Sequence, residues 1–132
     1  MTMTGKLYDI LLDNKKIGMT ELEKADTPMG VVFGKIKFIN IISGYDFFRT
    51  YCLTNDIEII SDFPDDRFIT TTNIPNLRVI DLNGIEIRGQ GVNIGGMDSD
   101  CFEVTIWGVP YPFFAEEFPH HMRAYEDQFK DS

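Results

Sequence analysis

Histidine, tryptophan and cysteine are scarce in this chain of 132 residues, with two, one and two copies respectively. Cys52 and Cys101 lie far apart in a chain long enough to build its own core, so they make no disulfide framework and read as reduced, buried thiols. Basic side chains are also in short supply: 12 Lys and Arg stand against 21 Asp and Glu, a formal charge of -9. That balance opposes contact with phosphate backbones and anionic lipid, so neither nucleic acid nor a membrane is an expected partner. No apolar run approaches the roughly 18 to 20 residues of a membrane span. The longest, residues 36–42, is interrupted by Lys37 and Asn40. The opening residues run straight into an alternating segment without the charged start and apolar stretch of a secretory signal, and a cytoplasmic location is expected.

What is present suits one globular domain over residues 1–132, since 43% of the chain is hydrophobic and 13% aromatic. Alternation over residues 7–12 and 17–20, separated by Asp13-Asn14-Lys15-Lys16, predicts an opening hairpin. Residues 21–30 read as a loop around Asp26-Thr27-Pro28-Met29-Gly30, and residues 31–39 as one half-exposed strand. Ser43-Gly44-Tyr45-Asp46 has the spacing of a capping box, which predicts a helix near residues 44–54 with Phe47, Phe48, Tyr51 and Cys52 on one face. Strands are expected at 57–60 and 68–72, flanking a turn on Pro64-Asp65-Asp66. Asn83-Gly84 favours a type I′ hairpin in which Leu82 faces Ile85, Ile80 faces Ile87 and Asp81 lies opposite Glu86, with Arg88 diagonal to them. The glycines at 89, 91, 95 and 96 predict an irregular or bulged stretch. Residues 101–107 alternate again, with Phe102, Val104 and Ile106 on one face and Glu103, Thr105 and Trp107 on the other. Phe114, Phe118, Met122, Tyr125 and Phe129 form a helical stripe that leaves His120 and His121 outside it. The expected fold is therefore α+β, a mainly antiparallel sheet of about seven to eight short strands with two helices, the second at the C-terminus.

No motif names a reaction. Gly89 to Gly95 fails as a dinucleotide loop, because the third glycine comes one residue late and a strand rather than a helix follows. Asp98, Asp100 and Glu103 bring hard oxygen ligands together, but an EF-hand register puts Phe102 at a ligand position and Glu103 where glycine is needed. Adjacent helical residues diverge by about 100°, so His120 and His121 do not readily share a metal. A cysteine, histidine and acid set is composable from any such chain and carries no weight without geometry. Neither a cofactor nor a metal is expected.

Charge asymmetry says more than any motif. Residues 1–61 hold 7 basic and 8 acidic side chains, whereas residues 62–132 hold 5 and 13. Small size, acidity and the absence of a catalytic motif suit a non-catalytic binding domain, such as an immunity or inhibitor protein that neutralises a basic toxin or nuclease. Its expected partner face gathers Asp81, Glu86, Asp98, Asp100 and Glu103 beside Trp107, provided the 77–88 hairpin and the 101–107 strand are neighbours in one sheet. The alternatives are a small enzyme or ligand binder with a pocket between sheet and helices, and a subunit of a homo-oligomer.

Overall fold

Both residues of the Asp13-Asn14 turn take positive φ, 52° and 67°, which is the backbone of a type I′ hairpin and matches the twist of the strands it joins. The computed structural model describes residues 6–129; residues 1–5, where the chain's opening was weighed as a signal, lie outside it. The chain runs β1 (Tyr8–Leu12), β2 (Lys15–Thr20), β3 (Lys24–Asp26), β4 (Val31–Lys35), β5 (Lys37–Phe38), α1 (Gly44–Thr54), β6 (Ile59–Phe63), β7 (Phe68–Thr71), β8 (Leu77–Asp81), β9 (Gly91–Met97), β10 (Phe102–Trp107), α2 (Phe113–Glu117) and α3 (Pro119–Asp127). Among the described residues the strands form two antiparallel sheets, one of four strands in the order β5-β2-β1-β8 and one of six in the order β3-β4-β10-β9-β7-β6. The class is α+β, with ten strands and three helices among the described residues, where the sequence predicts about seven to eight strands and two helices.

Three local choices account for the difference. Residues 31–39 are not one strand: β4 pairs with β10, Ile36 donates its amide to Phe102 O at 2.8 Å, and β5 then pairs with β2 in the other sheet. Alternation survives the crossing because Ile36 stays buried, so the pattern gives no sign of it. The expected loop at 21–30 contains β3, which pairs with β4. The glycine-rich stretch is a regular strand, β9, in the interior of the larger sheet. Glycine is needed at 91 because a Cβ there would lie 2.0 Å from Cζ2 of Trp107, whose ring rests on the bare backbone.

The Asn83-Gly84 hairpin forms in a different register from the expected one. Ile80 bridges Glu86, the Asp81 amide donates to Ile85 O at 2.8 Å, and the Ile87 amide donates to Val79 O at 2.8 Å. Asp81 and Glu86 are therefore not opposite one another. A three-residue loop replaces the two-residue one, and of its residues only Gly84 has positive φ, at 87°. An added Cβ at Gly84 meets nothing within 4 Å, so Gly84→Ala isolates the backbone effect. It is expected to cost about 1 kcal/mol, read as a lower urea midpoint at unchanged slope; no change would show that this turn relaxes freely.

The C-terminal stripe is broken into two helices. Phe118 takes φ -121° and ψ 56° between α2 and α3, and Pro119 occupies the first turn of α3, where its missing N–H is no loss. The break turns His121 inward rather than leaving it outside: it is buried, and its Nε2 lies 2.8 Å from Leu22 O. Side chains from the inner faces of both sheets and from all three helices join one buried cluster. Phe48 and Cys52 of α1 enter it fully, Phe48 against Phe38, Phe47 and Phe102. Burying one such phenylalanine stabilises the fold by about 1.5–3 kcal/mol. Among the described residues no helix is long and apolar enough to cross a membrane.

Candidate functional site

The expected partner residues fall at three places. Asp81 and Glu86 belong to the hairpin that edges the four-stranded sheet, whereas Glu103 and Trp107 lie on the outer face of the six-stranded one. The two elements are not neighbours in a sheet, so the single patch does not assemble. Asp98 and Asp100 lie in the β9–β10 turn, at the opposite end of β10 from Trp107 and about 20 Å from it at the usual strand rise.

Asp81 has an internal role. Its side chain is 1% exposed and its Oδ1 accepts the amides of Asn83 at 2.8 Å and Ile85 at 2.9 Å. Lys6 Nζ lies 3.2 Å from Asp81 Oδ2 and 2.7 Å from Glu117, which also accepts the Tyr8 hydroxyl at 2.7 Å. The Ile85 amide, with Lys6 and the Asn83 amide, holds the Asp81 carboxyl below its ordinary range despite burial. These bonds explain the register shift, because the carboxylate captures the turn amides that a tighter turn would direct elsewhere. Glu86 pairs with Arg78 and Arg88, each at 3.3 Å.

Asp98 is bound to the start of α1. Its Oδ1 accepts the Tyr45 amide at 3.0 Å, and its Oδ2 accepts the Ser43 hydroxyl at 2.6 Å and Arg67 Nε at 2.8 Å. The capping box is half formed: Ser43 Oγ accepts the Asp46 amide at 3.0 Å, but the Asp46 carboxylate turns to Arg67 Nη2 at 2.7 Å. Nearby, Asp62 accepts the Tyr45 hydroxyl and Arg49 Nε. The Asp98 amide donates to Arg67 O at 3.2 Å, which holds the β6–β7 and β9–β10 turns side by side. Asp65 and Asp66 of the first turn line one open pocket with Asp98 and Ser99 of the second; Asp100 closes that second turn, and Asp65, Asp66 and Asp100 are exposed and without an ion pair among the described residues. Phe63, 54% exposed and stacked on Phe68 at 5.6 Å, adjoins them. The aromatic residue beside the acids is therefore Phe63, and Trp107, 36% exposed, stands at the far end.

The outer face of the six-stranded sheet is a trough. Its floor carries small or short side chains, Thr70, Asn93, Gly95 and Thr105, and α3 rises along the β3–β4 side. A groove of about 700 Å³ runs between α3 and the sheet, and a second of about 620 Å³ continues across the floor; Glu103 and Thr105 line both. Lys24 Nζ lies 2.9 Å from Glu103 Oε2 and 5.8 Å from the centre of the Phe33 ring. Nothing in the sequence singles out Lys24, Phe33 and Tyr125, because residues 21–30 have the composition of a loop and Tyr125 falls on the apolar stripe, while the β3–β4 pairing sets Lys24 opposite Phe33.

The cysteines and histidines lie in different surroundings. Cys52 is fully buried, which pushes its thiol up, and Cys101 is a free, half-buried thiol in the second groove. His121 lines the first groove, with His120 stacked against it at 4.2 Å. Burial, followed by His121 and Arg123, pushes the His120 imidazole down. Among the described residues no three His, Cys, Asp or Glu side chains are grouped to hold a metal. No protein-family model, curated protein or solved structure matches this chain.

Proposed function

We propose that this chain is a non-catalytic binding domain that docks a basic protein partner on the acidic end of its six-stranded sheet. The observation that carries this reading is that the turn carrying Asp65 and Asp66 and the turn carrying Asp98 and Asp100 are held together by one backbone hydrogen bond, from the Asp98 amide to Arg67 O. Carboxylates left without internal cations raise the local negative potential, steer a basic partner and speed its capture. Phe63 beside them supplies the apolar contact that a purely charged surface lacks. An immunity or inhibitor protein that neutralises a basic toxin or nuclease is the concrete form of such a domain. A small-ligand function draws its support from the groove of about 700 Å³ beneath α3, a volume within the range of ligand sites.

The test is affinity capture from the native cell with the immobilised chain and with its Asp65→Lys/Asp66→Lys/Asp100→Lys variant, each washed through a salt gradient. The wild type is expected to retain a basic protein that leaves as ionic strength rises, since exposed charges are screened beyond about 10 Å at 0.1 M salt. The variant is expected to retain none. Equal retention by both, or retention indifferent to salt, sinks this reading.

A further inference from the structure

The groove between α3 and the sheet is chemically one-sided. It brings together two carboxylates, Asp26 and Glu103, and two aromatic rings, Phe33 and Tyr125, and among the described residues no lysine or arginine lines it. His121 reaches it as well, but its Nε2 is committed to Leu22 O at 2.8 Å. At the rim Lys24 shows what this surface holds, because its ammonium already lies on Glu103 at 2.9 Å with the Phe33 ring beside it. That hold is weak: the two side chains are 49% and 30% exposed, and exposed pairs contribute little. A guanidinium competes well for such a place. It is flat, offers a carboxylate two parallel hydrogen bonds and stacks on aromatic faces.

We infer that this groove seats an arginine side chain of the basic partner, which displaces Lys24 from Glu103 and lies against the Phe33 and Tyr125 rings; the inference rests on the binding function proposed above. The second groove shares Glu103 and Thr105 with the first, but Lys24 and Lys35 line it together with Asp100, so the arginine seat is confined to the first groove. Lys24 acts as an internal stand-in that the partner replaces.

Titration of the ¹⁵N-labelled chain with N-acetyl-arginine amide tests the seat directly. Saturable shifts are expected at the amides of Phe33, Glu103, Thr105 and Tyr125, with N-acetyl-glutamine amide giving none. Lys24→Met keeps the side-chain length and removes the competitor, and it tightens arginine binding about threefold if Lys24 fills the seat two-thirds of the time. Glu103→Gln and Asp26→Asn each weaken it, the second guarding against a folding defect in the first. Shifts confined to Asp65, Asp66 and Asp100, an equal response to the glutamine amide, or no tightening in Lys24→Met would overturn the inference. Its failure is separable from that of the binding function. A partner lost on charge reversal of the acidic end but retained by Glu103→Gln leaves the function standing without this seat.

Discussion

Phe118→Ala is expected to destabilise the chain by about 3–5 kcal/mol, the usual cost of emptying a fully buried phenylalanine site. Phe118 is 0% exposed, with the rings of Tyr8 at 6.2 Å, Phe114 at 5.4 Å and His121 at 5.7 Å. It joins two helices to the four-stranded sheet. Neither α2, of five residues, nor α3, of nine, is long enough to persist by itself, since isolated helices shorter than about 12–15 residues are marginal in water. Both depend on this ring and on the Glu117 bonds to Tyr8 and Lys6. A domain of ordinary stability, about 5–15 kcal/mol, loses about a fifth of it or more. Urea unfolding measures the loss, and hydrogen exchange locates it: protection in α3 is expected to fall first, taking with it one wall of the groove. Phe118→Leu fills most of the space and is expected to cost about 1–2 kcal/mol. A loss below about 1 kcal/mol in Phe118→Ala would mean that α3 is held by other contacts.

The parts of this fold that were legible in the sequence are those set by neighbours along the chain. Alternation puts Tyr8, Ile10 and Leu12 on one strand face, and Phe102, Val104 and Ile106 on another, and in the structure both faces are buried. The Ser43 cap located the start of α1, and Thr54-Asn55 its end. What resisted reading depends on groups distant in sequence. The switch of sheets at Ile36 is made by a bond to Phe102, and β9 is possible because β10 and β7 supply its ladder on both sides. His121 was assigned to the outside because the stripe was drawn through an unbroken helix, whereas the break at Phe118 rotates α3. The acidic end was half visible: charge excess in the second half of the chain pointed to Asp98 and Asp100, but not to the turn that brings Asp65 and Asp66 beside them. Trp107 was chosen as the aromatic neighbour for sharing a strand face with Glu103, and strand length then carries it away from the acids.

Asp98→Ala is expected to cost about 1–2 kcal/mol, in the range of a lost helix cap joined to a charge-assisted hydrogen bond. The carboxylate that looked available to a partner is spent on the fold: it satisfies the Tyr45 amide in the first turn of α1, orients the Ser43 hydroxyl and holds Arg67. Without it the Tyr45 amide loses its acceptor, and Arg67 loses its least exposed carboxylate, keeping Asp46, whose side chain is 65% exposed, the Ser43 hydroxyl at 2.9 Å and the Tyr45 ring. The loss is therefore larger than for an ordinary surface aspartate. A double-mutant cycle with Ser43→Ala distinguishes a shared network from two separate bonds, and a coupling of about 0.5–1.5 kcal/mol is expected for groups in direct contact. Strict additivity would show that Ser43 caps the helix without help from Asp98. The effect also carries a pH signature. Burial alone would raise the Asp98 carboxyl, but the bonds from Ser43, Tyr45 and Arg67 outweigh it and hold the group below its ordinary value of 3.8. A carboxyl lowered in the folded state stabilises fully above its unfolded value and ceases to do so as pH falls through the folded one. The gap in unfolding free energy between wild type and Asp98→Ala is therefore expected to be constant near neutral pH and to close in acid below 3.8. A gap that stays open there would assign the loss to the shape of the turn and not to the charge.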